Sequence, residues 1–145
     1  MTDLSTSTAT PLPAGPPVLV FGASGYVGSN LVPWLLERGV PVRAVSRNVS
    51  VLEARGWQGV ELVQADALAP ETMPAALEGC QTAYYLVHSM AAGRRFGEID
   101  LEAAANFAAA AEEAGLQRLI YLGGLVPEDA SGAHIESRRR TGDVL

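Results

Sequence analysis

The apolar positions come in short runs separated by longer, sparser stretches. VLVF at 18–21, VRAVS at 42–46, VELV at 60–63, AYYLV at 83–87 and RLIYL at 118–122 each read as a strand of four or five residues. Between them the spacing turns helical. One helix is expected to run from the glycines after 21 to about Arg38. Gly39 follows in the terminating position, and Pro33 inside the helix predicts a kink. A short helix is expected over 48–55 and another over 71–78, ending at Gly79. A long Ala-rich helix is expected over 99–114, closed by Gly115, and a last one over 135–145. Strands that are apolar almost throughout, alternating with helices, predict an α/β fold: a parallel sheet covered on both faces. With a ligand-binding turn after the first strand, the doubly wound order 3-2-1-4-5 is expected.

Residues 1–17 hold Ser, Thr and Pro and little that could be buried, so a flexible tail is expected there, with one domain over 18–145. A length of 145 residues suits one such domain, folding away roughly two-thirds of the unfolded surface. Ten basic against sixteen acidic side chains, net −6, argue against general nucleic-acid binding and give no support to docking on an anionic membrane. The single Cys80 closes no internal disulfide, no apolar run approaches the ~20 residues that span a bilayer, and the N-terminus lacks a secretory pattern. A cytoplasmic protein is expected. One cysteine and two histidines offer no metal-ligand spacing.

The turn VLVFGASGYVGSNLV sets glycines at 22, 25 and 28 between a strand and a helix. Gly22 permits the tight turn, Gly25 lets backbone approach a pyrophosphate, and Gly28 lets the helix sit close to the strand. Ser24, Tyr26 and Val27 complete the turn, and the free N–H groups at the helix start suit an anion. Around twenty residues on, an NAD-type site carries an acid that binds the ribose hydroxyls; here the sequence reads Ser46-Arg47-Asn48. A guanidinium pairs with a 2′-phosphate where a carboxylate repels it, so NADP(H) is preferred over NAD(H), unless Arg47 is a solvated loop charge. Arg43 alternates onto the strand and is not expected to reach the ligand.

These features carry a resemblance. GASGYVG, Asp66 after the third strand, YYLVHSM after the fourth and DLEAAANFAAAAEEAGLQRLIYLGG together resemble the atypical members of the short-chain dehydrogenase/reductase superfamily, similar to NmrA-like proteins and the complex I accessory-subunit group. The resemblance covers about 18–145 and implies a Rossmann-type fold with a dinucleotide cofactor. It implies that Asp66, helped by the backbone of Ala67, receives the adenine amino group; an N-cap or ordinary loop acid is the alternative. It sets Leu86, Val87 and His88 beneath the cofactor, His88 as pocket wall rather than catalyst.

The family's reductases use a Ser or Thr after the fifth strand and a Tyr-x-x-x-Lys pair on the next helix. Gly123 and Gly124 stand where the Ser would be. In HIESRRR, His134 falls at the Tyr position, Ser137 at a Ser and Arg138 at the Lys. Tyr121 lies on the strand, out of register. His134 is thus the candidate proton donor, with Arg138 orienting the ribose; the alternative is a polar helix start in a vestigial site. An oxidoreductase acting on an unknown small molecule is one reading, and a non-catalytic NADP(H)-binding sensor or assembly subunit is the other. Relatives continue with further strands and a substrate region beyond the last helix, which this chain is expected to lack. A fifth strand left at the sheet edge would invite pairing with a second copy.

Overall fold

The computed structural model describes residues 14–89, 95–124 and 132–145. The expected tail lies outside them as far as residue 13, and so does Met90 of YYLVHSM. The elements are β1 (Val18–Phe21), α1 (Tyr26–Glu37), β2 (Val42–Ser46), α2 (Val49–Glu53), β3 (Val60–Gln64), a 3₁₀ turn (Pro70–Thr72) leading into α3 (Met73–Leu77), β4 (Thr82–Tyr85), α4 (Phe96–Glu113), β5 (Arg118–Tyr121) and α5 (Ala133–Val144). The sheet is all parallel in the order β3-β2-β1-β4-β5. Val18 pairs with Val42 on one side and Thr82 on the other, and Thr82 with Arg118. That registry brings the carboxyl ends of β1, β2 and β4 into one row.

Alternation along the strands divides the core. Leu19, Phe21, Val45, Ala83 and Tyr85 point to the face covered by α3 and α4, against Leu77, Ala103 and Phe107. Val20, Val42 and Ala44 point to the face covered by α1 and α2, against Val32, Leu35 and Leu52. On the first face Phe107 sits edge-on to Tyr85 at 4.9 Å and tilted to Phe21 at 5.1 Å, locking α4 over the centre of the sheet.

Several boundaries differ from the sequence expectation, among them α2, shorter at both ends, and α5, which starts two residues early at Ala133. β4 ends at Tyr85, two residues short, because β1 stops at Phe21 for the glycine turn. The ladder adds only the Leu86 N–H to the Phe21 carbonyl at 2.9 Å and then has no partner. α4 begins three residues early, at Phe96, where Glu98 in the first turn complements the helix dipole and pairs with Arg95 at 3.1 Å. The segment expected as one helix over 71–78 divides into the 3₁₀ turn and α3, entered through prolines 70 and 74. α1 passes through Pro33 without interruption. Arg43 turns away from the carboxyl row, as expected: it pairs with Glu61 across the strands at 2.7 Å and donates to the carbonyls of Ala76 and Glu78 at the end of α3. Cys80 beside it is buried, and burial pushes its thiol up, away from nucleophilic use.

Candidate functional site

At the carboxyl row a cleft of about 190 Å³ opens between the glycine turn, the end of β2 and the segments after β3 and β4. The turn is built by backbone. Gly22 and Ala23 both donate to the Val45 carbonyl, at 3.1 and 3.0 Å, and Gly25 donates to Gly22 at 3.2 Å. Gly22 has φ +93°, and a Cβ there would stand 3.1 Å from the Leu86 backbone, so both handedness and space demand glycine. α1 starts at Tyr26 with no side-chain cap on its first N–H groups. A 12-residue helix thereby presents uncapped donors beside a glycine whose missing side chain leaves the approach open, which suits a diphosphate.

Of the sequence-derived positions, Gly22, Ser24, Gly25, Ser46, Arg47, Asp66, Ala67, Leu86, Val87 and His88 all line this cleft. Tyr26, Val27 and Gly28 do not. The Tyr26 and Val27 side chains are exposed, and Gly28 is buried against Ala23 and Gly22. Phe21, Val45 and Ala65 also line the cleft and escaped the sequence reading, because as strand-end apolar residues they look like any core position.

The cleft walls are braced at three places. Ser46 Oγ donates to Ser24 Oγ at 3.2 Å and accepts the Asn48 N–H, tying β2 to the glycine turn. Asp66 accepts the Leu68 N–H on Oδ1 at 2.9 Å, which leaves its second oxygen available, so the loop-acid and ligand readings are compatible. Asn106 on α4 donates to the Ala67 carbonyl at 2.7 Å and holds that loop from behind. Arg47 is exposed at the mouth. Arg55, which the sequence did not single out, reaches back across 31 positions to the Ser24 carbonyl at 3.4 Å. Arg55 thereby reaches the glycine turn, which forms one wall of the cleft that Arg47 also lines.

A side chamber of about 30 Å³ adjoins the other end, lined by His88, Phe96, Asp100, His134, Ser137 and Arg138. It brings the two expected catalytic candidates, His134 and Arg138, to the same place. His134, exposed in the first turn of α5, lies flat on Phe96 at 4.4 Å. Arg138 is half-buried, its stem against Gly124. Tyr121 donates its hydroxyl to the Arg138 carbonyl at 3.2 Å, out of the chamber. Burial and the nearby Arg138 hold the His88 ring below the ordinary imidazole value, opposed by Asp100 and by the Leu122 carbonyl. Asp100 is the residue the sequence reading missed altogether; on an acidic helix start it looks like a solvated charge. Among the described residues no group of His, Cys, Asp or Glu could hold a metal ion, and no helix is long and apolar enough to cross a membrane.

Comparison with known proteins agrees with this geometry. A family model described as NAD(P)H-binding matches residues 22–141. A 3β-hydroxysteroid dehydrogenase/Δ5→4-isomerase of Mycobacterium tuberculosis is 32% identical over 114 residues, which are 72% of this chain and 30% of the relative. A cinnamoyl-CoA reductase of Oryza sativa subsp. japonica is 31% identical over 111 residues, 72% of this chain and 33% of the relative. Among solved structures, the triphenylmethane reductase of Citrobacter sp. in complex with NADP(H) superimposes with a TM-score of 0.76 at 25% identity, over 88% of this chain and 44% of that one. The chain therefore spans about a third of the length of the curated relatives it matches.

Proposed function

The chain belongs to the NAD(P)H-binding family, as an atypical short-chain dehydrogenase/reductase-type protein with a dinucleotide cofactor, and from that premise we propose that it is the cofactor-binding part of an oxidoreductase that prefers NADP(H) to NAD(H). The observation that carries the preference is the end of β2. Arg47 occupies the mouth of the cleft where a ribose-binding acid would otherwise stand, and Arg55 approaches the same turn. Two guanidinium groups favour a 2′-phosphate over a bare ribose. In this reading the uncapped N–H groups of α1 hold the diphosphate, Asp66 and the Ala67 backbone take the adenine edge, and residues 86–88 form the floor under the nicotinamide. The cofactor would supply hydride chemistry. Arg138 and His134 are the side chains on α5 that face the reacting end, Arg138 toward the ribose and His134 toward a substrate. Two relatives are named for a 3β-hydroxysteroid and for cinnamoyl-CoA, and a small molecule with a hydroxyl or an acyl carbonyl is the substrate class in this reading.

Calorimetric titration with NADPH and NADH, side by side, tests the preference. Arg47→Ala is expected to weaken NADPH by about tenfold or more, roughly 1.5–3 kcal/mol for a charge-assisted contact, and to leave NADH nearly unchanged. Equal weakening of both would remove Arg47 from the 2′-phosphate. Binding of neither would reject the reading.

The sheet edge carries a second expectation. Among the described residues β5 pairs only with β4, so its outer backbone groups are free, and Leu122 just beyond is half exposed. Such an edge pairs readily with another strand, and the chain is expected to self-associate through it. Sedimentation across a concentration series should show dimers at tens of micromolar, and Leu119→Pro should abolish them by removing an outward donor, since the Arg118 N–H, and by alternation that of Ile120, face β4; a monomer throughout would refute this.

A further inference from the structure

Asp100 is only 4% exposed, in the second turn of α4, and its carboxylate is shared between two other parts of the chain. Its Oδ1 accepts the Ser89 N–H at 2.6 Å, and its Oδ2 accepts the Ser137 hydroxyl at 3.4 Å. Ser89 follows directly on Leu86, Val87 and His88, the floor of the cofactor cleft. Ser137 is itself 5% exposed and directly precedes Arg138 on α5. One buried carboxylate therefore brackets the cleft floor to the helix turn that carries Arg138. Three further contacts converge on the same stretch of α5. His134 lies flat on Phe96 at 4.4 Å, and Ser137 sits over Gly97, where a Cβ would stand 3.8 Å from its hydroxyl oxygen. Tyr121 on β5 donates to the Arg138 carbonyl at 3.2 Å. The first two turns of α5 are thus held from α4 and β5 together, and the tie made by Asp100 continues to the cleft floor.

We propose that Asp100 is a positioning residue: by bridging Ser89 and Ser137 it holds Arg138 in place for the nicotinamide half of the cofactor. This role depends on the cofactor reading above. An arginine has several rotatable bonds, and a guanidinium already held in place loses less freedom when it meets a ligand. The Arg138 stem rests against Gly124, and the side chain lines the chamber beside His88, the residue that this chamber and the cofactor cleft share. Those contacts leave open how far the helix stands from the cleft floor, and the carboxylate sets that distance. Two hydrogen bonds from separate elements to one buried group leave it little room to shift. Without it the Ser89 N–H and the Ser137 hydroxyl lose their acceptor, and α5 can settle elsewhere. The bridge calls for shape and hydrogen bonding rather than charge: an asparagine would accept from Ser89 with its carbonyl and donate its amide to Ser137. The adenine half is met by other elements, Arg47 after β2 and Asp66 after β3.

Calorimetry of the intact chain with NADPH, across single and double variants, tests this. Asp100→Ala and Arg138→Gln should each weaken NADPH by about tenfold. The double variant should be no weaker than Arg138→Gln alone, because Asp100 acts through Arg138. Asp100→Asn should bind NADPH as the parent does. Adenosine 2′,5′-bisphosphate, which carries the adenine half without nicotinamide or its ribose, should bind the parent and Asp100→Ala alike. A carboxylate that served the fold alone would weaken both ligands, and its loss would add to that of Arg138→Gln, about 100-fold together. If Asp100→Ala does not fold, Ser137→Ala takes its place, since it opens the same bridge from the α5 side. Additive losses overturn the proposal, as does an unchanged NADPH affinity in either single variant. So does an Asp100→Asn protein as weak as Asp100→Ala, or a loss of bisphosphate binding that matches the loss of NADPH. Each of these leaves the cofactor reading standing. A parent chain that binds neither NADPH nor NADH overturns both.

Discussion

Gly28→Ala is expected to destabilise the protein by about 3 kcal/mol or more, at or above the upper end of ordinary overpacking. A Cβ at position 28 would lie 2.6 Å from both the Ala23 Cα and the Gly22 carbonyl oxygen, and 2.9 Å from the Ala23 carbonyl carbon. All three are backbone atoms of the turn that leaves β1, so no side chain can rotate away to relieve the clash. Either α1 withdraws from the sheet, uncovering Val32 and Leu35 from the core they share with Val20, or the turn itself deforms. In the second case the N–H groups at the start of α1 lose their aim, and cofactor binding falls with stability. Urea unfolding measures the first effect and calorimetry the second. A variant within about 0.5 kcal/mol of the parent would mean that the helix seats more loosely than the contact distances imply.

Gly25→Asp, three residues earlier, should separate binding from folding. Its Cβ would meet only the Gly22 carbonyl oxygen at 3.5 Å, an ordinary contact, and φ at this position is −74°, open to any residue. Position 25 is also the N-cap of α1, which has no side-chain cap, and an aspartate there is favourable by about 0.5–1 kcal/mol. The free protein should therefore be as stable as the parent, or slightly more so. Yet the new carboxylate would occupy and charge the place where a diphosphate must approach the helix start. The expected loss is on the order of 100-fold in NADPH affinity, about 2.7 kcal/mol. Retained affinity in a folded Gly25→Asp protein would move the diphosphate away from this helix. The two glycines thus answer different questions, Gly28 about the seating of the helix and Gly25 about the approach of the diphosphate.

Much of the fold was legible because it depends on neighbours along the chain. β2 falls on its expected residues, β1 likewise, and the glycines at 39, 79 and 115 follow helices where expected, each in the left-handed conformation that ends a helix. Strand order followed from apolar strands alternating with helices. The misjudged ends have long-range causes. β4 stops where its neighbour β1 stops, and no property of Leu86 or Val87 announces that. The site divides in the same way. Ten of the cleft positions were legible, those of the glycine turn and the end of β2 from the motif and its offset, and Asp66, Ala67 and residues 86–88 from what the resemblance implies.

The sequence by itself determined the parallel α/β architecture, the glycine cradle and the absence of an acid at the end of β2, for these are matters of local spacing and residue type. Tertiary structure alone decided what those residues meet. Arg55 bends to Ser24, 31 positions away, Asn106 grips Ala67 across 39, and Asp100 joins Ser89 to Ser137 across 11 and 37. Each is a polar side chain on a helix or in the turn just after one, places where solvation is the usual fate. Only the packing of α4 and α5 against the ends of β4 and β5 removes Asp100 from water. Burial then turns a common surface residue into a tie between the segment after β4 and α5.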